Sequence, residues 1–146
     1  MDPQKPSAAL LLRVYANGIF PMVDPLSGAI EYYSPDPRAV IPLDRFHVPK
    51  SLARVVAKHA FELRTDSAFE RVIRACSETR AERPETWLDE RLIAAYVELH
   101  AHGFAHSVEA FRDGVLVGGL YGVQIGAAFF GESMFSRPEQ GGTDAS

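Results

Sequence analysis

The chain has 146 residues, 47% of them hydrophobic and 23% charged, with a net charge of −4. That length can bury a real core, and the composition is that of an ordinary globular protein rather than a disordered one. No run approaches the roughly 20 apolar residues of a membrane span, the opening Met-Asp-Pro-Gln-Lys-Pro lacks the order of a signal peptide, and the lone Cys76 cannot form an internal disulfide, so a cytoplasmic location away from membranes is expected.

Ser7 reads as a helix cap: Leu10, Leu11 and Val14 follow at helical spacing, and Asn17-Gly18 supplies a stop. Between Phe20 and Pro49 lie six of the ten prolines, which forbid long helices and favour short extended pieces joined by turns. After Pro49 the pattern turns helical, with Leu52, Val55 and Val56 on one side and Lys50, Arg54 and Lys58 forming a basic stripe on the other. Residues 61–65 read as a strand, and Asp66 is expected to cap a helix whose apolar face is Phe69, Val72, Ile73 and Cys76. A charged loop is expected over 77–85. Thr86-x-x-Asp89 then opens a helix carrying Leu92, Ile93, Tyr96 and Leu99, which stops at His102-Gly103.

From His106 the period changes to that of strands, predicted over 107–111, 115–121 and 127–131 and joined first by a turn at Asp113-Gly114. Gly118, Gly119, Gly122 and Gly126 mark places where a strand bends, bulges or admits a close neighbour. The fold class is therefore α+β, and helices packed on such a meander resemble the acetyltransferase type. Two units are expected: a small N-terminal α/β domain over 1–45 and an acetyltransferase-like domain over 46–146. A glycine loop and an apparent helix start after Ser136 give the further expectation that the C-terminal part of this second domain is missing.

Chemistry is sought first between Gly119 and Ser136, where Glu132 is the one carboxylate in an apolar, glycine-punctuated stretch. A carboxylate beside Phe129, Phe130, Met134 and Phe135 loses water, so it must find donors or have its pKa raised. Either outcome suits a group that handles an amine or its proton, although pairing with Arg137 would make it structural. The stripe Lys50, Arg54, Lys58 is, as a pattern, more often a solvated helix face than an RNA contact. Trp87 fits a half-buried packing residue as well as a base-stacking platform. The five histidines have no spacing typical of metal ligands, and Ser133 lacks the nucleophile-elbow motif, so neither a metal site nor a serine hydrolase is expected.

Seven motifs in order carry a resemblance: Asn-Gly-Ile-Phe-Pro (17–21), Ser-Pro-Asp-Pro-Arg-Ala-Val (34–40), Thr-Trp (86–87), Ala-Tyr-x-x-Leu-His (95–100), Ala-His-Ser-Val-Glu (105–109), Leu-Val-Gly-Gly-Leu-Tyr-Gly-Val (116–123) and Phe-x-Gly-Glu-Ser-Met-Phe-Ser-Arg (129–137). Together they resemble the leucyl/phenylalanyl-tRNA–protein transferase family over about residues 10–146. The resemblance implies transfer of Leu, Phe or possibly Met from aminoacyl-tRNA to proteins that begin with Arg or Lys, marking them for degradation, by a monomer without cofactor. It implies tRNA contacts at Lys50, Arg54 and Lys58, an apolar aminoacyl pocket at Leu120 and Phe129, an aromatic near the terminal adenosine at Trp87, and an acidic residue near the reaction centre at Glu132. Met22 stands where the family usually has Trp, replacing a stacking surface with a softer side chain. The family also continues with a helix and a strand bearing an Asp-x-Gln type motif, so these 146 residues alone are expected to bind tRNA without transferring. The alternatives are an acyl-CoA N-acetyltransferase, for which the glycines after Arg137 fit the pyrophosphate loop imperfectly, and a non-catalytic tRNA-binding module.

Overall fold

The computed structural model describes residues 5–79 and 84–140. Part of the predicted loop over 77–85, and the glycine loop beyond residue 140, lie outside the described residues. Helix α1 (Ala8–Ala16) starts where Ser7 accepts a hydrogen bond from the Leu10 N–H, and it ends at Asn17. The chain turns back through β1 (Phe20–Val23) and pairs it antiparallel with β2 (Ile30–Tyr33), Met22 lying opposite Glu31. Helix α2 (Lys50–Ala57) follows a long exposed segment, and none of its residues is buried.

The larger sheet is a meander in the order β3 (Glu62–Thr65), β4 (Ala105–Arg112), β5 (Val115–Ile125), β6 (Ala128–Ser136), all antiparallel. Asp113 and Gly114 make the first turn with φ of 51° and 78°, the left-handed pair that a tight hairpin requires. Helices α3 (Phe69–Ser77) and α4 (Glu90–Ala101) pack on one face of this sheet, where Val72, Ile73, Leu92, Tyr96, Leu99, Tyr121 and Val123 are essentially inaccessible to water. Leu11 and Tyr15 of α1 complete the same core. The mixed architecture with antiparallel sheets is the α+β class expected from the sequence. Among the described residues no helix is long and apolar enough to cross a membrane.

Two expectations need correction. Asp66 does not cap α3, whose first turn opens at Ala68 with no side-chain cap. Asp66 instead adopts a left-handed φ of 56° and turns back to β4, accepting from the Ser107 N–H at 2.8 Å and lying 2.7 Å from His106 Nδ1. The strands β5 and β6 also run further than their periodicity suggests, to Ile125 and Ser136, because Gly122 and Gly131 pair across the sheet instead of breaking it. Glu132 is thus a strand residue.

Among the described residues, no helix packs on the sheet's other face. Thr65, Val108, Leu120 and Met134 form one cross-strand row there, with Val108 40% and Met134 60% exposed. Phe129 joins this face: its ring lies where a Cβ on Gly122 would point, 2.6 Å from that position. A side chain at residue 122 would also run into the Phe130 carbonyl oxygen, so the close approach requires glycine.

Candidate active site

The register of β5 against β6 slips between Tyr121 and Gly122: Tyr121 pairs with Ser133 and Gly122 with Gly131, leaving Glu132 as the extra residue. A bulge of this kind re-aims a side chain out of the regular alternation. Here it sends Glu132 toward the tyrosines of α1 and α4. The Tyr15 and Tyr96 hydroxyls share a hydrogen bond of 2.6 Å, and the Tyr96 O–H reaches Glu132 Oε2 at a long 3.5 Å. Ring contacts across four elements hold the hydroxyls in place: Tyr15 meets Phe130 edge-on with centroids 5.4 Å apart, and Tyr96 meets Tyr121 at 5.5 Å.

Burial dominates the electrostatics. It pushes the Glu132 carboxyl up to about 7, against the opposing pull of the Tyr15 hydroxyl, the positive charge of Arg38 and the Tyr96 hydroxyl. Burial also raises both tyrosines well above the ordinary phenol value, helped by the Glu132 charge. Both remain neutral donors. The contrast with Glu109 is informative: that carboxylate is fully buried but fully engaged, accepting from Ser107 and Ser67 hydroxyls and from the Ser67 and Ala68 N–H groups. Glu109 fastens the start of α3 to β4, whereas Glu132 keeps acceptor capacity and faces open space.

That space is a cavity of about 420 Å³ lined by Phe20, Met22, Pro35, Pro37, Arg38, Ala39, Trp87, Gly131 and Glu132. Met22 and Trp87 meet there because the Val23 N–H of β1 donates to the Trp87 carbonyl at 2.9 Å, pinning the small hairpin against the start of α4. The cavity therefore has an aromatic and thioether wall and, among the described residues that line it, one acid and one base.

Of the residues singled out in the sequence, Met22, Trp87 and Glu132 share this cavity. Leu120 and Phe129 do not line it; they sit on the other face of the sheet, Leu120 on β5 and Phe129 on β6, the strand that also carries Glu132. Lys50, Arg54 and Lys58 lie on the exposed side of α2 and its C-terminal cap, away from the cavity lining. Arg137, the alternative partner of Glu132, pairs instead with Glu78 at 2.7 Å. Among the described residues no cluster of metal-ligating side chains is present. On its own Tyr15 carries no sequence signal of a role in the site, while Arg38 and Tyr96 stand in the sequence only as members of the motifs at 34–40 and 95–100 and, for Tyr96, of an apolar helical stripe. A tyrosine at each of two core-facing helix positions is the signal that could find the pair, because a buried phenol needs a polar partner.

The sequence profile of the leucyl/phenylalanyl-tRNA protein transferase matches residues 40–145, and that of the N-terminal domain of the same transferase matches residues 5–36. The chain belongs to this family. Relatives of that name include a protein of Paramagnetospirillum magneticum, 53% identical over 141 residues that cover 96% of this chain and 66% of the relative. One from Akkermansia muciniphila is 54% identical over 139 residues, covering 94% and 69%. One from Rubrobacter xylanophilus is 56% identical over 129 residues, covering 88% and 65%. The chain thus spans about two thirds of the length of these transferases, and 55% of a similar one from Salinibacter ruber.

Proposed function

We propose that the whole protein moves leucine or phenylalanine from aminoacyl-tRNA to the N-terminal amine of proteins that begin with Arg or Lys. Family membership supports the reaction class, and one observation supports the site: a half-buried carboxyl with a pKa near neutrality, flanked by two neutral tyrosine hydroxyls, facing a cavity walled by Trp87 and Met22. In this reading the terminal adenosine stacks on Trp87. The family resemblance assigns the aminoacyl side chain to Leu120 and Phe129, which lie outside the Glu132 cavity on the sheet's other face; each methylene buried there would contribute about 1–3 kcal/mol of discrimination. Lys50, Arg54 and Lys58 take phosphates of the acceptor arm, a contact blind to sequence.

The reaction is aminolysis. The free α-amine of the acceptor protein attacks the ester carbonyl, a C–N bond forms, and the C–O bond to the ribose breaks with the 3′ oxygen leaving. The ester is already an activated acyl donor, so positioning two substrates can supply much of the rate, up to roughly 7–11 kcal/mol in favourable cases. A carboxyl that titrates near 7 is suited to orient the incoming amine and to accept its proton. The two tyrosines act as positioning residues that fix the carboxyl. The same reading assigns residues 46–146 to the acetyltransferase type of fold and residues 1–45 to a small N-terminal domain.

The test is transfer of radiolabelled leucine from leucyl-tRNA to a peptide beginning with Arg, by the protein expressed in full from its gene, beside a parallel assay with labelled acetyl-CoA. Labelled peptide is expected from leucyl-tRNA alone. Transfer from acetyl-CoA with none from leucyl-tRNA overturns the reading in favour of an acetyltransferase.

A further inference from the structure

Arg38 is a cation without a counter-ion among the described residues. Its guanidinium carbon lies 5.4 Å from the Phe20 ring centroid and 5.8 Å from that of Phe130. Glu132 feels its field but does not reach it as a salt bridge. Aromatic faces attract a guanidinium while leaving its N–H donors unused, unlike a carboxylate, which would consume them. The backbone there is stiff: Pro35 and Pro37 flank Asp36, fix their own φ and restrict the residue before each. Arg38 is therefore an exposed guanidinium on the cavity lining, held over two rings, with no hydrogen bond from its donors among the described residues.

What this guanidinium faces follows from the rest of the lining. The cavity offers a stacking wall at Trp87, Met22 and Phe20, an acid at Glu132 and a base at Arg38. The lining matches a planar ring placed between a cationic and an anionic group. On the reading that this cavity takes the aminoacylated end of tRNA, the ring is the terminal adenine and the cation beside Glu132 is the acceptor protein's attacking amine. The anion that remains is the phosphate 5′ to the terminal adenosine. We infer that Arg38 is the subsite for this phosphate. It holds the last internucleotide link by charge-assisted hydrogen bonds and so fixes how deeply the aminoacyl ester enters.

Two non-hydrolysable probes test this: leucine joined by an amide to 3′-amino-3′-deoxyadenosine, with and without a 5′-phosphate. Binding of each is titrated against the parent chain, Arg38→Lys and Arg38→Met. The parent is expected to prefer the phosphorylated probe about tenfold or more, as a charge-assisted contact implies. Arg38→Met is expected to bring the ratio near one, and Arg38→Lys to retain part of it, since an ammonium keeps the charge but not the fork. Equal binding of the two probes by the parent, or a ratio that survives in Arg38→Met, overturns the subsite and leaves the aminoacyl-tRNA reading standing. Failure of the parent to bind either probe overturns both.

Discussion

Replacing Glu132 by Gln tests the electrostatics of the site without requiring catalysis. The carboxyl is raised from 4.5 in the unfolded chain to about 7 in the fold, chiefly by burial. Between those values the folded state binds more protons than the unfolded one, so stability must fall as pH rises. The contribution is fully present below about 4.5, declines through the window, and levels off above about 7. A difference of 2.5 units, 7 less 4.5, corresponds to about 3 kcal/mol of lost stability across that window. Gln keeps the shape and the hydrogen-bonding oxygen but cannot ionise. Urea denaturation at pH 5, 6, 7 and 8 should therefore show a parent that weakens with pH and a variant whose curve is flatter, the two crossing so that the variant is the more stable at pH 8. Parallel curves over the whole range would refute a half-buried, neutral-poised carboxyl.

Tyr121 has a buried hydroxyl with no hydrogen-bond partner among the described residues, so Tyr121→Phe should leave stability unchanged or raise it by about 1 kcal/mol; a loss of more than that in urea melts would mean that the hydroxyl is satisfied. Gly122→Ala should cost about 1–3 kcal/mol, because its Cβ collides with the Phe129 ring and the Phe130 carbonyl, and a neutral melt would contradict that packing. Changing Lys50, Arg54 and Lys58 together to Ala should weaken tRNA binding irrespective of sequence and flatten the plot of log affinity against log salt by about 2, at roughly 0.7–0.9 for each phosphate no longer neutralised. An unchanged slope would return the stripe to a solvated helix face.

Much of this fold is written in local signals. Ser7 caps its helix as its position predicts, Thr86-x-x-Asp89 marks the start of α4 although the cap is Asp89 and not Thr86, Asp113-Gly114 makes the hairpin, and the helical stripes of α3 and α4 supply the core. These features depend on near neighbours in the chain. Asp66 misleads because an acidic residue just before an apolar periodic stretch looks like a cap, whereas its partners, Ser107 and His106, lie some 40 residues away. Glu132 stands out as a carboxylate in apolar surroundings, but its position on a bulge, and the two hydroxyls beside it, come from the meeting of α1, α4 and β6. Nothing in the local pattern joins Tyr15 to Tyr96 across 81 residues. Arg38 is hidden for a similar reason: in the sequence it is one member of a proline-rich motif, and only the placement of Phe20 and Phe130 makes it a held cation.

The central claim is that Glu132 handles the attacking amine. It is tested most directly by single-turnover leucyl transfer to an Arg-starting peptide, measured alongside leucyl-tRNA affinity, in the full protein carrying Glu132→Gln. General acid–base roles of this kind contribute about 10²–10⁴ in rate, so the account predicts a fall of that order in transfer with leucyl-tRNA affinity little changed. Near-normal transfer by the variant, with the parent active in the same assay, would contradict it and leave Glu132 a structural residue.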